Sequence, residues 1–161
     1  MKTLYLLRHA KSSWKDTQLP DHDRPLNSRG KRDAPRMGKL MESLSMNPDL
    51  ILSSTAVRAR KTAELVSKAS HVECPVELRE ELYHASVIDY YDILHTLYYD
   101  EKALMIIGHN PGIGALAQSL AERAGNDADM PDGFPTSAAV VFQTDNVLDK
   151  ISLEHVFLPE S

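Results

Sequence analysis

Short apolar runs recur along the chain at residues 3–7, 50–52, 103–107 and 138–142, each of strand rather than helix length. A further strand is predicted at 150–156 and a weaker one around Val76. Between these runs the apolar positions fall into helical spacing: Met37, Leu40, Met41 and Leu44; Ala59, Ala63 and Val66; Val87, Tyr90, Leu94 and Leu97; Ile113, Leu116, Ala117 and Leu120. This alternation predicts an α/β fold, a three-layer α/β/α sandwich with a mostly parallel central sheet. Strands in the middle of such a sheet are covered on both faces, so they are apolar throughout rather than at every second position. Residues 124–136 are dense in turn formers and predict a long loop able to cover a site.

With 161 residues, 42% apolar and 25% charged, the sequence fits one soluble globular domain over 1–161 and excludes fibrous and disordered classes. A chain of this size buries roughly 70% of its unfolded surface, enough core to fold without a disulfide or structural metal. Cys74 is the single cysteine and closes no internal disulfide. Residues 1–8 superficially imitate a signal peptide, but Arg8 ends the apolar stretch, and no run is long enough to cross a bilayer. A cytoplasmic protein without membrane contact, metal or cofactor is expected.

The net charge of -5 hides an asymmetry: residues 1–62 carry 13 Lys and Arg against 6 Asp and Glu, and the remainder carries the reverse excess. A local anion site is compatible with this balance, whereas nucleic acid is not an expected partner. Arg29, Lys31, Arg32, Arg36 and Lys39 read as the solvated face of a helix rather than as that site.

In open parallel sheets ligands gather beyond the carboxyl ends of the strands. There the sequence places Arg8, His9 and Ala10; Ser53, Ser54, Thr55, Ala56, Val57 and Arg58; and Gly108, His109, Asn110, Pro111 and Gly112. Pro111 suits the first turn of a helix with Asn110 as its cap, and Gly108 suits close approach of a ligand. Arg24 is a further cation, carried by a loop after Trp14. Singly, a strand-end histidine reads as a structural or surface residue, and Arg60 and Lys61 read as surface charge. Together, arginines and histidines at the ends of separate strands describe a positively charged pocket, and guanidinium forks match the oxygens of a phosphoryl group.

These motifs, Leu7-Arg8-His9-Ala10, Ser54 to Arg58 with Ala59 and Thr62, and Gly108-His109, resemble the histidine phosphatase superfamily; the short length and Arg24-Pro25-Leu26 resemble its SixA-type phosphohistidine phosphatase branch. The resemblance implies a phosphoglycerate-mutase-like fold, His9 as the phosphorylated nucleophile, and Arg8, Arg58 and His109 as the phosphate pocket, with Arg24 as a further phosphate or substrate arginine. A neutral imidazole attacks phosphorus if its other N–H is held, and the cations stabilise charge on the equatorial oxygens without a metal. Ester-cleaving members supply an acid from a segment resembling Leu78 to Tyr83; Glu80 fits best and Glu81 nearly as well, and both read equally as solvated surface acids. His84 is assigned to the rim, and His22, His71, His95 and His155 to surface or packing.

The implied partner is a phosphorylated protein or small phosphorylated molecule. A general small-molecule phosphomonoesterase and a non-catalytic phosphate- or phosphoprotein-binding module are the alternatives. Cys74 and Arg79 lack the spacing of a cysteine-dependent phosphatase, and no serine-hydrolase, Walker, dinucleotide or zincin motif is present.

Overall fold

The computed structural model describes residues 1–97, 102–145 and 148–159. Six strands form one sheet: β1 (Lys2–Arg8), β2 (Leu50–Ser54), β3 (Val76–Arg79), β4 (Ala103–Gly108), β5 (Ala139–Thr144) and β6 (Ile151–Phe157), in the order β3-β2-β4-β1-β5-β6. Neighbours from β3 through β1 are parallel, while β5 and β6 run antiparallel. The expected α/β sandwich with a mostly parallel sheet is therefore present.

Side chains of the central strands alternate between two cores. Leu4, Leu6, Leu52, Leu104 and Ile106 face α3 (Val87–Leu97) and α4 (Gly112–Ala124), while Tyr5, Leu7, Ile51, Met105 and Ile107 face α1 (Ser28–Ser43) and α2 (Val57–Ser70). Each fully buried Leu or Ile stabilises the fold by roughly 1.5–3 kcal/mol, so both helical layers are held by the same strands. The short β3 at the sheet edge is largely exposed. Among the described residues no helix is long and apolar enough to cross a membrane.

Local signals explain the helix ends. Asn27 caps α1, its side-chain oxygen accepting from the Gly30 N–H at 2.9 Å, and Gly125 closes α4 with φ +78°. The five cations read as the solvated face of α1 are all exposed. Two expectations need correction. Leu44 is 44% exposed because α1 ends at Ser43, leaving Leu44 as its C-cap rather than a core position. At α4, Pro111 is the N-cap rather than the first helical residue; Asn110 still accepts from the Gly114 N–H at 3.1 Å, one position earlier than expected. The expected apolar contribution of Leu97 falls on a side chain outside the described set.

Candidate active site

The carboxyl ends of β1, β2 and β4 lie side by side because those strands are adjacent in the sheet. At the end of β1, the His9 N–H donates to the Gly108 carbonyl at 3.1 Å, tying it to β4. The His9 Nδ1 lies 2.7 Å from the Ala10 carbonyl, an acceptor only, so Nδ1 carries the proton and Nε2 keeps a free lone pair. Ala10 in turn donates to the Thr62 Oγ1 at 3.0 Å, and that hydroxyl donates to the Arg58 carbonyl at 2.7 Å. One threonine on α2 thus ties the loop that follows His9 to the helix that carries Arg58.

At the end of β4, His109 faces His9 with ring centroids 4.9 Å apart. Its Nε2 meets the Ser54 Oγ at 2.8 Å, while that oxygen accepts from the Ala56 N–H at 3.2 Å. Ser54 thus fixes the orientation of the His109 ring from the neighbouring strand. Gly108 was expected to admit a ligand; instead its bare Cα makes room for the buried Tyr90, whose hydroxyl a methyl group would strike.

Arg24 reaches this rim because its loop folds back: Ser12 bridges Leu26, and the Ser13 N–H donates to the Pro25 carbonyl at 2.8 Å. Its Nη1 donates to the Ser12 Oγ at 2.8 Å and to the Ser13 carbonyl at 3.2 Å, and Trp14 stacks on the guanidinium at 3.5 Å. Asp21 binds Arg24 Nε at 3.0 Å and Arg58 Nη2 at 2.9 Å and accepts from the Tyr83 hydroxyl at 2.5 Å. The Asp21 carbonyl takes a further bond from Arg58 Nη1 at 2.7 Å.

Arg8, His9, Arg24, Arg58 and His109 all line one cavity of about 300 Å³. Glu80 and Glu81 do not line it. Glu80 is exposed at the start of a 3-10 turn (Glu80–Leu82), and Glu81 is exposed and paired with Arg79 at 3.0 Å. His84 sits on the rim as expected, stacked on Tyr83 with centroids 4.0 Å apart. The 124–136 loop contributes Thr136 to the lining, and the Phe134 carbonyl accepts from Asn110 Nδ2 at 2.9 Å. Sequence reasoning missed Asp21, Tyr83 and Trp14 as lining residues, and missed that His22 binds the Thr55 Oγ1 at 2.8 Å. The polar cluster just before Arg24 was the available signal for Asp21.

Electrostatics follow from burial among cations. Burial, aided by Arg58, Arg8 and Arg24, lowers the His9 pKa to about 4, against a smaller upward pull from the Ala10 carbonyl. Burial likewise lowers His109 to about 3, with His9 and Arg58 adding to it. The hydrogen bond from Tyr83, with Arg58 and Arg24 alongside, holds Asp21 well below the usual carboxylate range and therefore ionised. Both imidazoles are neutral near pH 7. Arg8 Nε, Arg58 Nε and His109 Nδ1 are buried without a hydrogen-bond partner. An unpaired buried polar group costs roughly 1–3 kcal/mol, and the guanidinium groups of Arg8, Arg24 and Arg58 around one cavity match an anion with several oxygens. Among the described residues no group of three or more His, Cys, Asp or Glu is placed to hold a metal ion.

Known proteins share this arrangement of elements. A crystal structure from Agrobacterium tumefaciens assigned as the phosphohistidine phosphatase SixA superposes with a TM-score of 0.88 at 31% identity, covering 98% of each chain. An uncharacterized protein of Mycobacterium tuberculosis is 34% identical over 85% of this chain and 86% of its own length. An uncharacterized chloroplastic protein of Arabidopsis thaliana is 35% identical over 74% of this chain, the match spanning 59% of that longer relative. Residues 4–127 match the histidine phosphatase superfamily, branch 1, and the chain belongs to that family.

Proposed function

We propose that this protein hydrolyses phosphohistidine, or another phosphorylated protein or small molecule, through a covalent phospho-His9 intermediate and without a metal ion. Membership of the superfamily supports phosphatase activity. The observation that carries the mechanism is the convergence of Arg8, Arg58 and His109 on the cavity that His9 lines, with the two imidazole rings 4.9 Å apart.

In the first step the lone pair on His9 Nε2 forms a bond to phosphorus while the bond to the leaving group breaks and its electron pair departs with that group. Charge building on the equatorial oxygens meets Arg8, Arg58 and His109. The Ala10 carbonyl keeps the Nδ1 proton in place and stabilises the ring as it becomes cationic. Water then attacks the phosphoimidazole, the nitrogen–phosphorus bond breaks, and inorganic phosphate leaves.

The leaving group's proton selects between substrates. Asp21 is the carboxylate that lines the cavity, and it is held ionised, while Glu80 and Glu81 lie outside. A poor alkoxide leaving group needs an acid, whereas the imidazole nitrogen of a phosphoramidate leaves without one once protonated from solvent. This supports phosphohistidine ahead of a general phosphomonoester.

The test is mass spectrometry of enzyme quenched during turnover of phosphohistidine under conditions that preserve acid-labile phosphate. One phosphoryl group on His9 is expected, absent in His9→Ala. A binding module would show neither turnover nor label, and label on any other residue overturns the mechanism. Loss of ester hydrolysis in Glu80→Gln with phosphoramidate cleavage intact would instead establish the phosphomonoesterase reading.

A further inference from the structure

Of the segment 78–83, the two glutamates stay exposed and the residue that reaches the cavity is Tyr83. Leu82, fully buried, anchors the 3-10 turn that carries it there. The Tyr83 ring packs edge-on against His22, with centroids 4.8 Å apart, and is stacked on His84 at 4.0 Å. Its hydroxyl donates to Asp21 Oδ2 at 2.5 Å, the same oxygen that accepts from Arg58 Nη2 at 2.9 Å. The Tyr83 proton is therefore committed to Asp21 and not aimed at a leaving group.

Asp21 is the partner that the two rim arginines share. Among the described residues, both hydrogen bonds of the Arg58 guanidinium end on Asp21, one on its carboxylate and one on its carbonyl. Arg24 has Ser12, Ser13 and Trp14 besides, so Arg58 depends on Asp21 the more heavily. A guanidinium has five N–H donors; Arg58 commits two to Asp21 and keeps three for an oxyanion. The Asp21 side chain is 47% exposed, so water competes for its oxygens, and the Tyr83 hydroxyl takes that place on the oxygen bonded to Arg58. A cation fixed before the phosphoryl group arrives needs no reorganisation as charge develops on the equatorial oxygens.

We propose that Tyr83 is a positioning residue for phosphoryl transfer, acting through Asp21 to hold Arg58 in register with the phosphoryl oxygens. This rests on the phosphatase reading and adds to it a residue that touches neither His9 nor the reacting phosphorus.

The test measures turnover of phosphohistidine together with affinity for inorganic phosphate and for vanadate, whose five-coordinate adduct resembles the transition state. Wild type, Tyr83→Phe, Asp21→Ala and the double variant are compared. Tyr83→Phe removes the hydroxyl alone, and neither Tyr83 nor Asp21 is buried, so neither change empties the core. In Tyr83→Phe, kcat should fall about 10-fold, in the range for losing a hydrogen bond to a charged group, with KM changed less than about threefold. Vanadate should weaken by a similar factor of about 10 and inorganic phosphate much less, because vanadate engages Arg58 as the transition state does. Adding Tyr83→Phe to Asp21→Ala should change kcat by no more than about twofold, since the hydroxyl acts through that carboxylate.

An unchanged kcat in Tyr83→Phe, or a raised KM with equal weakening of both oxyanions, overturns the assignment. A full Tyr83→Phe effect on top of Asp21→Ala also overturns it, because the hydroxyl would then act on the substrate directly. A wild-type protein that neither turns over phosphohistidine nor binds either oxyanion would instead overturn the phosphatase reading.

Discussion

Ser54 shows how one buried hydroxyl governs the chemistry of a residue on another strand. Accepting from the Ala56 N–H and bonded to His109 Nε2, it holds that ring in one orientation at the cavity. Ser54→Ala should therefore lower turnover about 10-fold to 100-fold, the range for losing a group that orients a site histidine, and slow phosphorylation of His9 in parallel. Quenched-flow labelling checks this; an unchanged labelling rate would mean that the ring is held elsewhere. Residues such as His9, Arg58 and His109 were legible because each directly follows an apolar run or opens the next helix. Asp21 and Tyr83 were not, because they are 62 positions apart and Asp21 is 37 positions from Arg58, pairings that local patterning does not register. Within the segment 78–83 the sequence drew attention to Glu80, whereas the 3-10 turn brings Tyr83 to the cavity instead.

At the scale of strands and helices, the apolar runs located β1, β2, β4 and β5, with β6 and the exposed β3 carried by weaker signals, and the alternation of strand and helix patterns was the reason a mostly parallel sheet could be foreseen. Helix ends were less legible: nothing in the spacing of Leu44 distinguishes a core position from a residue just past a terminus. Gly108 illustrates the same limit. Its lack of a side chain looked like room for a ligand, and the structure fills that room with Tyr90 of α3, which packs under the end of β4. A methyl group at Gly108 should destabilise the fold by about 1–3 kcal/mol, the usual penalty for overpacking. Tyr90→Phe removes the hydroxyl that the methyl strikes, so the double variant should recover a substantial part of that loss relative to additivity. Urea denaturation of the four proteins measures the coupling, and strictly additive effects would refute this account of the glycine.

For the molecule as a whole, the basic first segment supplies Arg8, Arg24 and Arg58, which the fold gathers at one end of the sheet. That gathering leaves a pH signature. His9 and His109 titrate at about 4 and about 3 in the folded protein, against roughly 6.5 in an unfolded chain. The unfolded state thus binds protons first as pH falls, so stability contributed by the neutral imidazoles is complete above about 6.5 and is lost progressively toward 4. Denaturation midpoints should drop over that interval, and less steeply in His9→Gln; parallel curves for the two proteins would count against the burial of His9 as the cause. The three buried nitrogens without a partner, Arg8 Nε, Arg58 Nε and His109 Nδ1, carry a related implication. Selection for a sturdier protein and selection for a faster one pull in opposite directions at those side chains, because apolar replacements would relieve the interior while silencing it. Polar groups that a purely structural interior would shed are retained there, and the fold carries their cost.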